Sequence, residues 1–237
     1  MHVGVLTGGG DCPGLNAVIR AVTLALHSEC GARVTGIERG FRGLMTRSVC
    51  ELRPTDVADI LADGGTILGA DNRCNPFNDP EHGDLSAQAM AFVRELGIDA
   101  LVAMGGDGTM AIAHQFQRIG LPVVGVPKTI DNDIALTERS FAFDSAVSVV
   151  AEALDRLDTT ARSHGRVMIA ETMGRCAGWI GLEGGLVGAA DLILIPELGF
   201  TVESVAAFCS EREQRGLSPL ICIAEGAHAQ GLSVCLG

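Results

Sequence analysis

Aromatic and basic residues are scarce in this sequence. Only 4% of its 237 residues are aromatic, with one Trp and no Tyr, and 17 Lys and Arg face 29 Asp and Glu. The formal net charge of −12 opposes binding to nucleic acid or to an anionic membrane, and few aromatic rings are present on which bases could stack. A phosphate ligand would therefore have to be held locally by Arg, Lys, backbone amides or a metal ion.

Cysteine motifs, membrane spans and targeting signals are also missing. The eight cysteines form no C-x-x-C pair and have no regular spacing, which argues against a zinc site or a disulfide framework and favours reduced, mostly buried thiols. No apolar run approaches the roughly 20 residues that a membrane span needs. The N-terminus leads straight into an apolar strand, so we predict no secretory signal and expect a cytoplasmic location.

Glycine and apolar residues are abundant, at 31 residues and 47% respectively. Short apolar runs ending in Gly, Asp or Pro alternate with stretches of helical periodicity, which predicts an α/β fold with buried parallel strands and right-handed crossovers. The predicted strands cover 2–7, 33–38, 99–106, 121–127, 166–171, 190–197 and 219–226. The predicted helices include 15–26, 55–62, 85–96, 141–158 and 202–215.

The chain length is sufficient for two domains. We place the boundary in the turn around Ala135 to Phe141, which gives domains 1–138 and 139–237. The segment Asn72 to Asp84 is rich in polar residues and prolines, so we expect it to be exposed and mobile.

Two glycine-rich turns are candidate phosphate sites. In TGGGDCPGLNAVIR (7–20), small residues allow backbone amides to approach an anion at a helix N-terminus, although a structural turn without a ligand explains the run equally well. Asp11 could cap the helix that follows. In GGDGT (105–109), the glycines leave room for a polyphosphate and Asp107 could bind a hard cation that bridges phosphate oxygens; the alternative is a helix-capping Asp.

The segment VGVPKTIDNDI (124–134) carries Asp131, Asn132 and Asp133 directly after an apolar strand. The carboxyl ends of buried parallel strands are where open α/β sheets bind ligands. One carboxylate can take the proton from an attacking hydroxyl, and Lys128 can neutralise charge on a transferring phosphoryl group. The alternative is an Asx-turn in which these side chains cap their own backbone.

Several other polar residues lie at strand ends. Arg166 in SHGR and Arg175 in ETMGR bracket one predicted strand, an arrangement suited to a bidentate grip on a sugar phosphate. Arg73 either solubilises the polar loop or closes over a polyphosphate. Glu225 ends a strand where substrate hydroxyls would be met, and a helix-capping role is equally consistent with its position.

Together these stretches resemble the 6-phosphofructokinase family from Val3 to about Gly226. The motifs that carry the resemblance are LTGGGDCPGLNAVIR, GGTILGADNR, GGDGT, PKTIDND and SHGRVMIAETMGRCAGWIGLEGGLVGAADLILIPE. GGDGT alone also occurs in the related NAD and diacylglycerol kinases, whereas PKTIDND followed by MGR-x-AGW is typical of phosphofructokinases. The resemblance implies two doubly wound α/β domains with mostly parallel sheets, the second incomplete, in a homo-oligomer that is a dimer or a tetramer.

The resemblance also implies an activity, which is Mg²⁺-dependent transfer of a phosphoryl group from ATP to the 1-hydroxyl of fructose 6-phosphate. Asp107 would hold Mg²⁺, and Asp131 would be the general base beside the further catalytic residues Lys128 and Thr129. The donor site would be lined by Gly10, Arg73, Cys74, Gly106, Asp107, Gly108 and Thr109. The sugar phosphate would be contacted by Thr129, Ile130, Asp131, Asp133, Met173, Gly174, Arg175 and Glu225, with Arg166 reaching into a neighbouring subunit's site. This assignment requires Asp107 and Asp131 to converge on one cleft.

Two positions bear on the identity of the donor. Family members that use pyrophosphate tend to carry an acidic residue in place of Gly108, which crowds out a nucleoside, and a lysine at the position of Lys128. Gly108 permits ATP, whereas Lys128 is shared with the pyrophosphate enzymes. Because steric exclusion is harder to circumvent than an added charge, we expect ATP and keep pyrophosphate as the alternative.

The chain departs from the family pattern in three places. GGTILGADNRCNPF carries one extra residue, which affects the register of Arg73. Leu24 stands where nucleotide-regulated bacterial enzymes often have a second effector-binding Arg after Arg20, so we do not expect that form of allosteric control. Relatives continue past the AEG turn with an H-x-x-R-G-G-like segment that completes the sugar-phosphate site. A fragmentary or non-catalytic homologue that binds nucleotide is therefore an alternative function.

Overall fold

The computed structural model describes residues 1–230 and divides the chain into two compact units, Met1–Thr129 and Ile130–Gly237. The segment 231–237, which includes Cys235, lies outside the described residues. The units meet between residues 129 and 130, whereas the sequence placed the boundary between 138 and 139. The boundary between the units therefore lies nine residues closer to the N-terminus than predicted, and the whole DND turn belongs to the second unit.

Side-chain hydrogen bonds explain why the DND turn belongs to the second unit. The Asn132 amide donates to the Glu138 carbonyl at 3.1 Å, and Asn132 Oδ1 accepts from the Ser140 amide at 2.9 Å. Ile130 packs against the buried cluster that contains Phe143. These contacts close the turn upon itself, so it cannot act as a linker.

The first unit alternates strands and helices. Its strands are β1 (His2–Thr7), β2 (Arg33–Ile37), β3 (Val49–Glu51), β4 (Ala100–Gly105) and β5 (Val123–Thr129). Its helices are α1 (Leu15–Cys30), α2 (Arg42–Thr46), α3 (Ser86–Leu96) and α4 (Asp107–Arg118), with 3₁₀ turns at Pro54–Val57 and Ile60–Ala62.

The strands of this unit lie in the order β3-β2-β1-β4-β5, and all the pairings except β2 with β3 are parallel. From β1 the chain first moves outward to β2 on one side, and it later returns to place β4 on the other side of β1. The gap outside the carboxyl ends of β1 and β4 is therefore a topological switch point, where open α/β sheets bind ligands. Both glycine-rich motifs follow these two strands.

An aromatic cluster anchors the elements next to the switch point. Phe116 of α4 is fully buried, stacks on Phe41 with ring centroids 5.5 Å apart, and meets Phe77 edge-on at 4.9 Å. Phe41 directly precedes α2, and Phe77 lies in the polar loop after β3. A single buried ring in α4 thus positions both segments.

Some local predictions fail in this unit. The helix predicted over 55–62 is instead two 3₁₀ turns, because Pro54 and the side-chain contacts between Arg53 and Asp56 fix only one short turn. Asp11 does not cap α1, since that helix begins at Leu15 with Gly14 as its N-cap and without a side-chain cap bond. Helices α2 and α4 were not predicted.

The second unit continues the α/β pattern. Its elements are β6 (Phe141–Ala142), α5 (Phe143–His164), β7 (Met168–Thr172), α6 (Trp179–Val187), β8 (Leu192–Leu194), α7 (Val202–Gln214) and β9 (Leu220–Ala224). Three strands form a parallel sheet in the order β7-β9-β8. Because β7 and β9 are parallel neighbours, the turns that follow them open at the same edge of the sheet.

The thiols are less buried than the sequence suggested. Within residues 1–230 all cysteines are free; Cys12 and Cys222 are buried, whereas Cys30 and Cys176 are exposed. The same residues contain no group of three or more His, Cys, Asp or Glu placed to hold a metal ion. None of the helices described for this chain is both long enough and apolar enough to cross a membrane.

Candidate active site

The turns after β1 and β4 interlock through one threonine. Thr109 is buried, and a Cβ placed on Gly8 or on Gly105 would lie 2.5 Å and 2.3 Å from its Oγ1. The Gly8 amide also donates to the Met104 carbonyl at 2.8 Å, which extends the β1–β4 pairing into the turn. Glycine is therefore required at both positions, because any side chain would push the two turns apart.

Asp107 is exposed at the start of α4. The N-cap of this helix is Gly106, and no side chain caps it, so the helix-capping alternative for Asp107 does not hold. Across residues 1–230 its carboxylate has no hydrogen-bond or ion-pair partner, and it lies where the helix dipole favours negative charge. Magnesium is commonly bound by one or two carboxylates together with substrate phosphates, so this single free carboxylate fits such an ion.

Gly108 leaves open space in the first turn of α4. A Cβ at this position would have no atom within 4 Å, and the residue is exposed. An acidic side chain would extend into that space, whereas glycine keeps it clear.

Lys128 is the only lysine in the 237 residues, and it is buried, with 6% of its surface exposed. It lies on β5 and its Nζ donates to the Gly10 carbonyl at 2.5 Å. The ammonium group therefore sits against the glycine-rich turn that follows β1, although the two residues are far apart in the chain. Burial raises the pKa of the neighbouring Cys12 thiol to about 11 despite the opposing influence of Lys128, which leaves this thiol protonated and unreactive.

An open cavity of about 400 Å³ adjoins the same turn. It is lined by Gly9, Gly10, Asp11, Arg42, Ala70, Asp71, Asn72 and Arg73. The structure thus brings the predicted donor residues Gly10 and Arg73 together. Arg42 was missed by the sequence analysis because it lies in α2, a five-residue helix that the periodicity did not reveal.

Asp71 organises the wall of this cavity. Its Oδ1 accepts from the backbone amides of Arg73 and Cys74 at 2.8 Å and 2.9 Å, and its Oδ2 lies 2.7 Å from Arg42 Nε. Burial alone would raise the pKa of Asp71, but the amide hydrogen bonds and the Arg42 guanidinium together lower it below its ordinary value. Asp71 is therefore ionised at neutral pH.

A second cavity, of about 530 Å³, shares Arg42 and Arg73 with the first. Arg42, Arg73 and Cys74 line it together with residues of the polar loop, among them His82. Burial raises the pKa of the Cys74 thiol to about 11, so Cys74 can contribute to this surface only as a neutral group.

In the second unit, the residues of the DND turn have different environments. Asp131 is buried at 8% exposure, and Asn132 takes a left-handed conformation with φ of 54° while it closes the turn through its side chain. The side chain of Asn132 thus bonds to backbone groups six and eight residues further on, a wider closure than an Asx-turn. Asp133 and Ile130 flank these residues, and Thr129 ends β5 in the first unit.

Arg175 and Asp131 approach one another within the second unit. Arg175 Nε lies 3.9 Å from Asp131 Oδ2, and the Arg175 side chain is 82% exposed. The contact is long, so the guanidinium remains accessible to a ligand that lies beside the carboxylate. The structure therefore brings a predicted base and a predicted phosphate-binding group together.

Glu225 links the turns that follow β7 and β9. Its Oε1 accepts from the amides of Gly174 and Arg175 at 3.0 Å and 2.6 Å. A Cβ on Gly226 would lie 2.0 Å from the Arg175 carbonyl oxygen, so only glycine fits there. Four predicted sugar-phosphate residues, Met173, Gly174, Arg175 and Glu225, therefore form one local surface. Glu225 caps this turn and does not cap a helix.

Arg166 lies elsewhere. It precedes β7, whereas Arg175 follows it, and a five-residue strand is about 17 Å long. The two arginines therefore cannot grip one phosphate within a single chain, and the bidentate interpretation is wrong. Two residues that precede and follow a strand in the sequence lie at opposite ends of that strand.

Comparisons with known proteins agree on one family. A family model described as Phosphofructokinase matches residues 2–235. A pyrophosphate–fructose 6-phosphate 1-phosphotransferase of Amycolatopsis methanolica is 49% identical over 98% of this chain and 67% of its own length. An ATP-dependent 6-phosphofructokinase of Chloroflexus aurantiacus is 50% identical over 97% of this chain and 66% of its own length. This chain thus spans about two thirds of the length of these curated relatives.

Among solved structures, the Pichia pastoris phosphofructokinase in the T-state aligns with a TM-score of 0.87 and 33% identity. The alignment covers 96% of this chain and 26% of that one. The mostly parallel α/β architecture is therefore shared with known members of the family, as the sequence motifs predicted.

Proposed function

The chain belongs to the phosphofructokinase family, and on that basis we propose that it transfers a phosphoryl group from ATP to the 1-hydroxyl of fructose 6-phosphate, a step of glycolysis. The observation that carries the proposal is the Lys128 ammonium held against the glycine-rich turn at the switch point of the first unit. In a protein of net charge −12, a buried cation at such a turn has a clear use in binding phosphate.

The donor phosphates would be bound by the first unit. Backbone amides of the glycine-rich turns after β1 and β4 would contact the phosphates, and Lys128 and Arg73 would supply positive charge beside the turn after β1. Asp107 would hold Mg²⁺, and the ion would supply positive charge that neutralises the donor phosphates. These groups position the donor and stabilise charge, which is most of what a loose phosphoryl-transfer transition state requires.

The acceptor would be activated by the second unit. Asp131 takes the proton of the 1-hydroxyl as that oxygen bonds to the transferring phosphorus, and the phosphorus-to-oxygen bond of the donor breaks. Arg175 binds the 6-phosphate, and Thr129 and Asp133 lie beside the reacting hydroxyl.

Other parts of the proposal follow from the family. Met173, Gly174 and Glu225 shape the sugar-phosphate surface, and Arg166, at the far end of β7, acts in a neighbouring subunit's site within a homo-oligomer. The expected location is the cytoplasm.

Two observations bear on the donor and favour different molecules. The open space at Gly108 favours ATP, because it leaves room for a nucleoside. The buried Lys128 favours pyrophosphate as the second candidate, and sequence identity does not separate the two donors, since relatives of both kinds are 49% and 50% identical to this chain. We rank ATP first, since a side chain that blocks the nucleoside is absent here.

A donor and acceptor panel on the purified chain tests the proposal. Turnover is measured with ATP or pyrophosphate as donor and fructose 6-phosphate or sedoheptulose 7-phosphate as acceptor, each with and without Mg²⁺. We expect Mg²⁺-dependent formation of fructose 1,6-bisphosphate, fastest with ATP. Nucleotide binding without turnover on any pair would instead identify a non-catalytic homologue.

A further inference from the structure

Arg42 is a charged residue at the glycine-rich turn to which neither the motifs nor the family resemblance gave a role. It is the first residue of α2, directly after the buried Phe41 ring, and it lines the 400 Å³ cavity beside Gly9 and Gly10. Its side chain is 45% exposed, so it faces solvent-accessible space.

The guanidinium of Arg42 is held at one edge only. Asp71 contacts Nε at 2.7 Å and is its sole hydrogen-bond or ion-pair partner within residues 1–230. An arginine carries further N–H donors on its two terminal amino groups, which match the spacing of phosphate oxygens. Anchoring through Nε therefore fixes the orientation of the group and leaves its phosphate-binding end available.

Arg42 and Arg73 belong to the walls of both cavities of the first unit. The two residues therefore lie next to both the space at the glycine-rich turn and the larger space beside the polar loop. Asp71 supports both arginines, one by an ion pair and the other through its backbone amide.

The charges of the smaller cavity suit a metal-complexed polyphosphate. Asp71 offsets Arg42, and Asp11 lines the same cavity as Arg73, so the cavity contains two cations and two carboxylates. A free phosphate anion would gain little there, whereas a polyphosphate carrying a divalent cation can satisfy the arginines and the carboxylate together.

We propose that Arg42 is a donor-binding residue, which contacts the phosphates of the phosphoryl donor, and that Asp71 is its positioning residue. The inference rests on the proposed function, because it assumes that the cavity at the glycine-rich turn receives the donor. It adds a recognition element that does not depend on whether the donor is ATP or pyrophosphate, since both carry the phosphates that Arg42 meets.

Calorimetric titration of the full chain with magnesium pyrophosphate and with magnesium ATP tests this role. Hydrogen bonds to charged groups are the stronger kind, so we expect Arg42→Gln to raise the Kd of both donors by about tenfold. Fructose 6-phosphate should bind as tightly as to the unmodified chain. Arg42→Lys, which keeps the charge without the fork, should recover part of the loss.

Two further variants sharpen the test. Asp71→Asn keeps an oxygen for the Arg73 and Cys74 amides but loses the ion pair with Arg42, so it should weaken both donors by about threefold. Arg53→Gln is the matched control, because Arg53 is an exposed arginine whose partner is Asp56 and which lines neither cavity. It should leave both Kd values unchanged, and melting temperatures verify that each variant is folded.

Several results would overturn the role of Arg42. They are unchanged donor binding by Arg42→Gln, a loss confined to ATP, equal weakening of fructose 6-phosphate, or no donor binding by the unmodified chain. Failure of the proposed function looks different, because the unmodified chain would then bind donors without turnover in the panel while Arg42→Gln still weakened that binding.

Discussion

The two units hold their candidate ligand-binding turns in place by the same kind of contact, with opposite charge. In the first unit the Lys128 ammonium donates to a turn carbonyl, and in the second unit the Glu225 carboxylate accepts from turn amides. Lys128 is buried, whereas Glu225 is exposed. The charge of the exposed Glu225 carboxylate is hydrated in any case. The buried Lys128 ammonium has exchanged water for one protein partner among residues 1–230, so its hydrogen bond is harder to replace.

This contrast also fits the proposed ligands. Lys128 occupies a carbonyl of its turn and none of the amides, so the amides of Gly9 and Gly10 can serve anionic phosphates. In the second unit the Glu225 carboxylate takes the turn amides, which leaves recognition to side chains such as Arg175. The comparison therefore predicts that the units can be impaired independently.

The largest effect is expected from Asp131→Asn in the second unit. The amide keeps the size of the side chain but cannot accept the proton of the hydroxyl, so kcat should fall by about 10²- to 10⁴-fold. Binding of ATP, measured by calorimetry, should be unchanged. Turnover within about tenfold of the unmodified chain would refute the assignment of Asp131 as the base.

Lys128→Met comes next and acts on the first unit. Methionine fills similar space but leaves the Gly10 carbonyl without its partner and removes the cation, so donor affinity should fall by about tenfold or more. The lost bond should also cost about 1 to 3 kcal/mol of unfolding free energy, which denaturant titration measures. If fructose 6-phosphate bound more weakly to the same extent, the prediction that the two units can be impaired independently would be wrong.

Glu225→Gln is the counterpart in the second unit and should have a smaller effect. Glutamine can still accept from the Gly174 and Arg175 amides, but without the charge that strengthens those bonds, so fructose 6-phosphate should bind about threefold more weakly. Donor affinity serves as the internal control and should stay constant. An equal loss of donor affinity would contradict the independence of the Lys128 and Glu225 contacts.

The smallest effect concerns Asp71 and pH. Its pKa in the folded chain lies below the ordinary value of 3.8, so its contribution to stability is complete above that value and is lost as the pH falls through the lower, folded pKa. Unfolding free energy should therefore decline in strongly acidic solution by less in Asp71→Asn than in the unmodified chain. Identical dependence of the unfolding free energy on pH in the two proteins would show that ionised Asp71 does not stabilise the first unit.

Much of the fold was predictable because buried parallel strands consist of short apolar runs that are visible in the sequence. Strand β1 occupies the predicted residues, and β4 and β9 lie within the predicted bounds. The errors arose where local order depends on few residues. The stretch 55–62 has helical spacing but folds into 3₁₀ turns next to Pro54, and α2 is too short to show a period.

The candidate site was predictable only in part, for a related reason. Motifs identify residues that no core would need, such as Asp107 and Asp131, but they do not reveal which side chains support them. Asp71 and Arg42 are separated along the chain and meet only because α2 and the polar loop pack on the same aromatic ring. The error over Arg166 has the same source, since Arg166 and Arg175 lie on the same stretch of sequence but at opposite ends of β7.

The sequence alone determined the family, the alternation of strands and helices, and the chemical character of the two glycine-rich turns and the DND turn, because each is encoded in contiguous residues. Tertiary structure decided that Lys128 reaches the Gly10 carbonyl, that Asp71 orients Arg42, and that Glu225 closes the Gly174–Arg175 turn. Those contacts join residues brought together only by parallel strand pairing and helix packing, and no local pattern records them.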